Sequence, residues 1–235
     1  MRAPRTRILK AALIGAAFLV SCVPASAQIS PSATEIAGYT GLHAAAANGD
    51  TGAIDRLVRA GEDLNARDGF GRTPLMVAAF RRDTAAAKAL IEAGANLNAL
   101  EHQSYDIITI AAVLDDIDML RLAIGAGGNT RAITSPYGGT ALIAAAHLGH
   151  AEVVAALIAA KAPLDHVNHL GWTALVEAIV LGDGGERHQA TVRALIEGGA
   201  NLNLPDRDGV APLSLARRRG YARIAEMLEL AGAKP

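Results

Sequence analysis

The stretch Asp68–Leu100, DGFGRTPLMVAAFRRDTAAAKALIEAGANLNAL, decides the architecture of this chain. Asp68-Gly69-Phe70-Gly71 is a turn signal, with two glycines free to take positive φ. Thr73-Pro74 reads as a helix start. The hydroxyl caps a free backbone N–H, and proline fits the first helical position, where no N–H is needed. A short helix follows through Leu75, Val77, Ala78 and Ala79. A second is expected from about Thr84 to Ala93, with Leu90 and Ile91 on its buried face and Gly94 closing it in a left-handed conformation. Two helices this short cannot bury their apolar faces alone. The unit must stack on others like it.

Those others are present. Six units open at Glu35, Asp68, Glu101, Ser135, Asn168 and Asp206, at intervals of 33, 33, 34, 33 and 38. The helix start recurs as Thr40-Gly41-Leu42-His43, Thr140-Ala141-Leu142-Ile143, Thr173-Ala174-Leu175-Val176 and Ala211-Pro212-Leu213-Ser214. The third unit reads Asp106-Ile107-Ile108-Thr109, where Asp is itself a good N-cap. The helix stop recurs as Gly61, Gly94, Gly127, Gly199 and Gly232. Unit four has Lys161 there, at a cost of about 1 kcal/mol if the backbone is left-handed. Asn65, Asn98, Asp165 and Asn203 follow the stop.

This pattern resembles the ankyrin repeat, whose hallmark is T-P-L-H followed by x-A-A. The resemblance runs over residues 35–235. It implies an all-α solenoid of helix-turn-helix repeats at 35–67, 68–100, 101–134, 135–167, 168–205 and 206–235, with β-hairpin-like finger loops. By the same resemblance, inner helices and fingers form a concave face that binds a partner protein, His43 hydrogen-bonds within its own repeat, and no enzymatic activity or cofactor is expected. The last unit is a cap, with Arg217, Arg218, Arg219, Arg223 and Glu226 giving it a polar outer surface.

Residues 1–27 read as an export signal. Arg2, Arg5, Arg7 and Lys10 form a positive n-region, and Ala11 to Val20 is an apolar run too short to span a membrane. Ala25-Ser26-Ala27 fits small-x-small cleavage, which leaves Gln28 to Thr34 as a flexible lead-in. Leu19-Val20-Ser21-Cys22 competes as a lipobox, with a lipid anchor on the only cysteine of the chain. Either route implies a periplasmic, secreted or envelope-anchored protein. Resemblance to small exported bacterial ankyrin proteins adds an expectation of support for a periplasmic enzyme or a stress response. Removing the leader takes away four basic residues and no acidic one, shifting the net charge from −1 to −5. That balance argues against nucleic acid as a partner. Nothing else is apolar enough to cross a membrane, and a monomer is expected.

Only eight residues are aromatic, so their placement is informative. Tyr39, Tyr105 and Trp172 all precede the cap of a first helix, Phe70 and Tyr137 stand at finger tips, and Phe80 follows the paired alanines of an inner helix. By the resemblance these positions face the concave surface, and Arg72, Arg81, His102, Gln103, His169 and Leu170 are their neighbours there. Exposed aromatics on a rigid frame serve as interface anchors; the competing reading has them packing on adjacent fingers. An alternative function places a metal or small molecule at a histidine edge. His147 and His150 flank the turn of unit four, and His188 lies in the seven-residue stretch Gly182–His188 that carries the insertion of unit five, read as a surface loop. Asp115, Asp116 and Asp118 cluster in another turn but lack a calcium-loop pattern.

Overall fold

The computed structural model describes residues 30–235. The expected signal peptide, its cleavage after Ala27 and the alternative anchor at Cys22 lie outside the described residues.

A short helix α1 (Ala33–Gly38) precedes six helix pairs. The inner helices are α2 (Gly41–Asn48), α4 (Pro74–Phe80), α6 (Ile107–Val113), α8 (Ala141–Leu148), α10 (Ala174–Val180) and α12 (Pro212–Arg218). The outer helices are α3 (Thr51–Arg59), α5 (Thr84–Glu92), α7 (Ile117–Gly125), α9 (Ala151–Ala159), α11 (Glu186–Glu197) and α13 (Ala222–Leu230). Each inner helix packs on the inner helices of its neighbours, and each outer helix on the outer ones. The core is therefore a continuous seam rather than a centre. One repeat position supplies Leu42, Leu75, Ile108, Leu142, Leu175 and Leu213, all essentially inaccessible to solvent. A second, on the outer helices, supplies Leu90, Ala123, Leu157, Leu195 and Leu228.

The helix starts form as the sequence indicates. The side chains of Thr73, Asp106, Thr140 and Thr173 each accept a hydrogen bond from the backbone N–H three residues on. Thr40 does not; instead Glu62 Oε1 accepts from Leu42 N at 2.7 Å, so α2 is capped by a carboxylate from the far end of its own unit. Lys161 does adopt the left-handed conformation, φ 63°, at the position where the other units have glycine.

Two expectations need correction. The lead-in is not loose up to Thr34: Ser32 caps α1, which begins at Ala33, and the Glu35 carboxylate accepts in turn from Ser32 N. The insertion of unit five is only partly a loop. Residues from Glu186 onward are helical, so α11 is 12 residues long where the other outer helices have 9. The remaining loop is tied down by Tyr221 Oη donating to Gly182 O at 2.7 Å and by Arg219 donating to the Val180 carbonyl. The hairpin-like fingers contain no β-strand among the described residues, in keeping with an all-α solenoid. They are tight turns, and what holds them is described next.

Candidate functional site: the finger row

The five segments joining an outer helix to the next inner helix are the fingers, counted here from the α3–α4 connection. All five are built alike. The residue that opens the unit turns its side chain back and accepts from the N–H groups two and four residues on. Asp68 takes Phe70 and Arg72, and Glu101 takes Gln103 and Tyr105. Ser135 takes Tyr137 and Gly139, Asn168 takes Leu170 and Trp172, and Asp206 takes Asp208 and Val210. One residue of each turn is left-handed: Gly71, Ser104, Gly138, Gly171 and Gly209. Short side chains with an acceptor oxygen stabilise such turns by standing in for a backbone carbonyl.

Neighbouring fingers are then bonded to each other. His102 N donates to Phe70 O at 3.0 Å and His169 N to Tyr137 O at 2.8 Å. Behind the tips, Asn65 Oδ1 accepts from Asn96 N, Asn98 Oδ1 from Asn129 N, Asp165 Oδ1 from Asn201 N, and Asn203 Oδ1 from Lys234 N. This ladder has one gap, between the second and third steps. Arg131 stands in the acceptor position and Pro163, which has no N–H, in the donor position. The guanidinium of Arg131 bonds the Lys161 carbonyl at 3.1 Å instead, and Thr130 Oγ1 bonds Ala160 O at 3.0 Å. The fingers thus form a cross-linked comb.

The comb carries the exposed apolar surface. Eight large hydrophobic residues are exposed among the described residues, and six of them are on four consecutive fingers: Phe70, Leu100, Ile133, Tyr137, Val167 and Leu170. They fall on two repeat positions, Leu100, Ile133 and Val167 on one and Phe70, Tyr137 and Leu170 on the other. A contiguous exposed apolar patch on a folded protein marks an interaction site. Exposed His102 and His169 lie along the same row.

The aromatic positions do not all face outward as expected. Phe70 and Tyr137 are exposed, and Arg81 is exposed at the end of α4. Tyr105 is buried, 8% exposed, because its ring packs into the core beside α6. Tyr39, Trp172 and Phe80 are half-buried. Tyr39 Oη donates to Asp68 Oδ2 at 2.6 Å; burial, reinforced by that bond, raises the phenol above its ordinary value. Arg72, expected on the face, is 1% exposed. Its guanidinium pairs with Asp68 at 2.6 Å and with Glu35, and lies 4.6 Å from the centre of the Phe70 ring. Arg72 is therefore a buried bolt between α1 and the first finger, not a contact residue. Burial opposes ionisation of Asp68, but bonds from Tyr39 and Arg72 outweigh it and hold its carboxyl below the ordinary value.

The histidine edge does not assemble. His188 Nδ1 bonds Asp183 at 2.8 Å and its Nε2 donates to the His147 carbonyl, not the ring. His150 Nδ1 bonds the Ala112 carbonyl at 2.8 Å. His147 faces Glu177 instead, 3.6 Å away. With the rings committed to separate partners, no group of three metal-ligating side chains fit to hold an ion exists among the described residues. Asp116 is an ordinary N-cap of α7, and Asp115 pairs with Arg187. His43 does hydrogen-bond structurally, but to Arg72 O of the following unit rather than within its own.

Comparison with known proteins fits this architecture. The family model described as ankyrin repeats (3 copies) matches residues 11–101, 42–131 and 107–204. The chain belongs to the ankyrin repeat family. It is similar to the putative ankyrin repeat protein YahD of Escherichia coli K12, 47% identical over 98 residues, which are 41% of this chain and 49% of YahD. The match thus spans about half the length of that curated relative. Among solved structures, an ankyrin repeat domain from Acinetobacter baumannii is 46% identical, with a TM-score of 0.78 over 82% of this chain and 98% of that one. A chain in the complex of a predatory endopeptidase with an immunity protein, from Bdellovibrio bacteriovorus, is 29% identical, with a TM-score of 0.69 over 82% of this chain and 98% of that one. Ankyrin repeats are protein–protein interaction modules, and no helix among the described residues is long and apolar enough to cross a membrane.

Proposed function

We propose that this ankyrin chain is a non-catalytic binding module that grips a partner protein through its finger row. The observation that carries this reading is the concentration of exposed large hydrophobics on four adjacent, mutually bonded fingers. Rigid presentation matters, because side chains already held in place lose little entropy on binding. Phe70, Ile133, Tyr137 and Leu170 are the anchors, with His102, His169 and Arg81 beside them. Tyr39, Phe80 and Trp172 contribute only their exposed edges.

Residues 1–27 support export to the periplasm or beyond, with Cys22 as the alternative anchor. The similarity to a chain of the endopeptidase–immunity protein complex makes an enzyme a fitting class of partner. The test is affinity capture from periplasmic extract with the mature protein and with an Ile133→Ser, Tyr137→Ser, Leu170→Ser triple variant. These side chains are exposed, so the variant is expected to stay folded. It loses a saturable partner that the parent retains. Equal capture by both proteins removes the finger row from the proposal.

A further inference from the structure

The fourth finger differs from the others in what lies beneath its opening residue. Glu177, on α10, is 4% exposed. The same repeat position is held by Ala44, Val77, Ile110, Ala144 and Leu215 in the other units. Its Oε1 accepts a hydrogen bond from Asn168 Nδ2 at 2.8 Å. Asn168 is the opening residue of the finger, and its Oδ1 holds Leu170 N and Trp172 N at 2.9 and 3.0 Å. One side chain therefore joins a buried carboxyl to the turn that presents Leu170 and His169. The two substitutions belong together: an Asp at 168, as at 68 and 206, would set two carboxyls against each other.

Around Glu177, α8 contributes His147, whose Nδ1 lies 3.6 Å from Oε2, beyond hydrogen-bond reach. Burial, with His188 adding to it, pushes the His147 imidazole below its ordinary value, so it faces Glu177 as a neutral ring near neutral pH. From α11, His188 is occupied by Asp183 and the His147 carbonyl. On α12, Arg217, Arg218 and Arg219 are exposed; Arg217 pairs with Glu229, and Arg219 bonds the Val180 and Gly182 carbonyls. The finger's own histidines are His166, bonded to Gly138 O, and exposed His169. No cation is bonded to Glu177 among these groups.

We propose that Glu177 is a proton-operated clasp on the fourth finger: as a neutral acid it holds Asn168, and on ionising it turns toward solvent past His147 and releases the finger. Burial raises this carboxyl to about 7, outweighing the Asn168 bond, which favours the ionised form, so the change falls in the neutral range. A buried ionised carboxylate with one hydrogen bond, facing a neutral imidazole, is costly, and rotation toward water relieves that cost. The finger is thus held on the acid side and loosened on the alkaline side. This regulation bears on the finger row as a binding face, but it is read without any partner.

The experiment follows the Leu170 and Trp172 backbone amides of the mature protein by NMR from pH 5.5 to 8.5. Both resonances are expected to shift with a midpoint near 7, and their exchange protection, corrected for intrinsic rates, to fall on the order of tenfold. In Glu177→Gln the inflection disappears, because the amide keeps an acceptor for Asn168 and cannot ionise. Glu177→Leu, which places the residue of unit six there, also lacks it. A parent protein without an inflection near 7, or an inflection unchanged in both variants and so belonging to another group, overturns the clasp. Either result leaves the binding reading to its own capture test.

Discussion

In the first finger the opening residue is Asp68, and beneath it lies the buried Arg72 guanidinium; in the fourth it is Asn168, and beneath it lies the buried Glu177 carboxyl. The backbone turns match: both openers accept from N–H groups two and four residues on, within 0.1 Å of each other in length. Only the side-chain chemistry below is inverted. A buried cation calls for an anionic opener, and a buried acid calls for an amide that can donate. The turn geometry is therefore set by the repeat, while the charge beneath it is free to vary and gives each finger its own response to pH.

That response has opposite signs at the two ends. Asp68 is held below its ordinary value of 3.8, and Glu35, hydrogen-bonded by Ser32 and paired with Arg72, is also lowered. Their contribution is present above the unfolded values and is lost as pH falls through the folded ones. Glu177 is raised from 4.5 to about 7. Its contribution is full below the unfolded value and is lost as pH rises through about 7. The first finger loosens in acid and the fourth toward alkaline pH.

The largest expected effect on this contrast comes from Arg72→Ala. It leaves Asp68 and Glu35 without their cation and is expected to cost about 3–5 kcal/mol in urea unfolding. The reciprocal change, Glu177→Leu, removes the buried acid but leaves the buried Asn168 amide without its acceptor, and is expected to cost about 1–3 kcal/mol at pH 5 and less at pH 8. If the two variants lose equal stability, the inversion between the fingers is not what sets their energetics.

Next in size is Asn168→Asp, which converts the fourth finger's opener to that of the first. It removes the donor to Glu177 and is expected to cost about 1–3 kcal/mol, more at pH 8 than at pH 5. Urea midpoints at the two pH values check the direction; a larger loss at pH 5 contradicts it. The smallest effect is Lys161→Gly, at the start of the fourth finger, where the first finger has Gly61. Lys161 carries a left-handed backbone, and glycine is expected to gain about 1 kcal/mol in melting or urea unfolding. No gain would mean that the bond from Arg131 to the Lys161 carbonyl depends on the lysine itself.

The stack was legible in the sequence because its cause is local. Thr73-Pro74, the recurring glycine stops and the 33-residue interval each act within a few residues of where they stand. The finger face was legible only in part. Phe70 and Tyr137 are exposed as their tip position suggests, but of the three aromatics before a helix cap Tyr105 is in the core while Tyr39 and Trp172 are half-buried. The burial of Arg72 is not legible locally: Asp68 is four residues away, but its second partner, Glu35, is 37 residues away in a neighbouring unit. The aliphatic half of the row, Leu100, Ile133 and Val167, is not legible from residue type, because leucine, isoleucine and valine are as common in the core as on this face. A signal existed: an apolar residue recurs six positions after the helix stop at Gly94, Gly127 and Lys161. The histidine edge failed for a comparable reason, since proximity in the fold does not free ring nitrogens that backbone carbonyls already occupy.

The most direct test of the finger row compares it with the surface at the far end of the same molecule. Leu230, on the terminal helix, is the most exposed large hydrophobic of the described residues at 83%, yet it stands alone. Capture from periplasmic extract is measured for the parent, for Leu230→Ser and for the Ile133→Ser, Tyr137→Ser, Leu170→Ser variant, each checked for an unchanged helical spectrum. The finger variant is predicted to lose the partner while Leu230→Ser retains it. Retention by the finger variant, or loss by Leu230→Ser alone, would contradict a binding face built on the fingers.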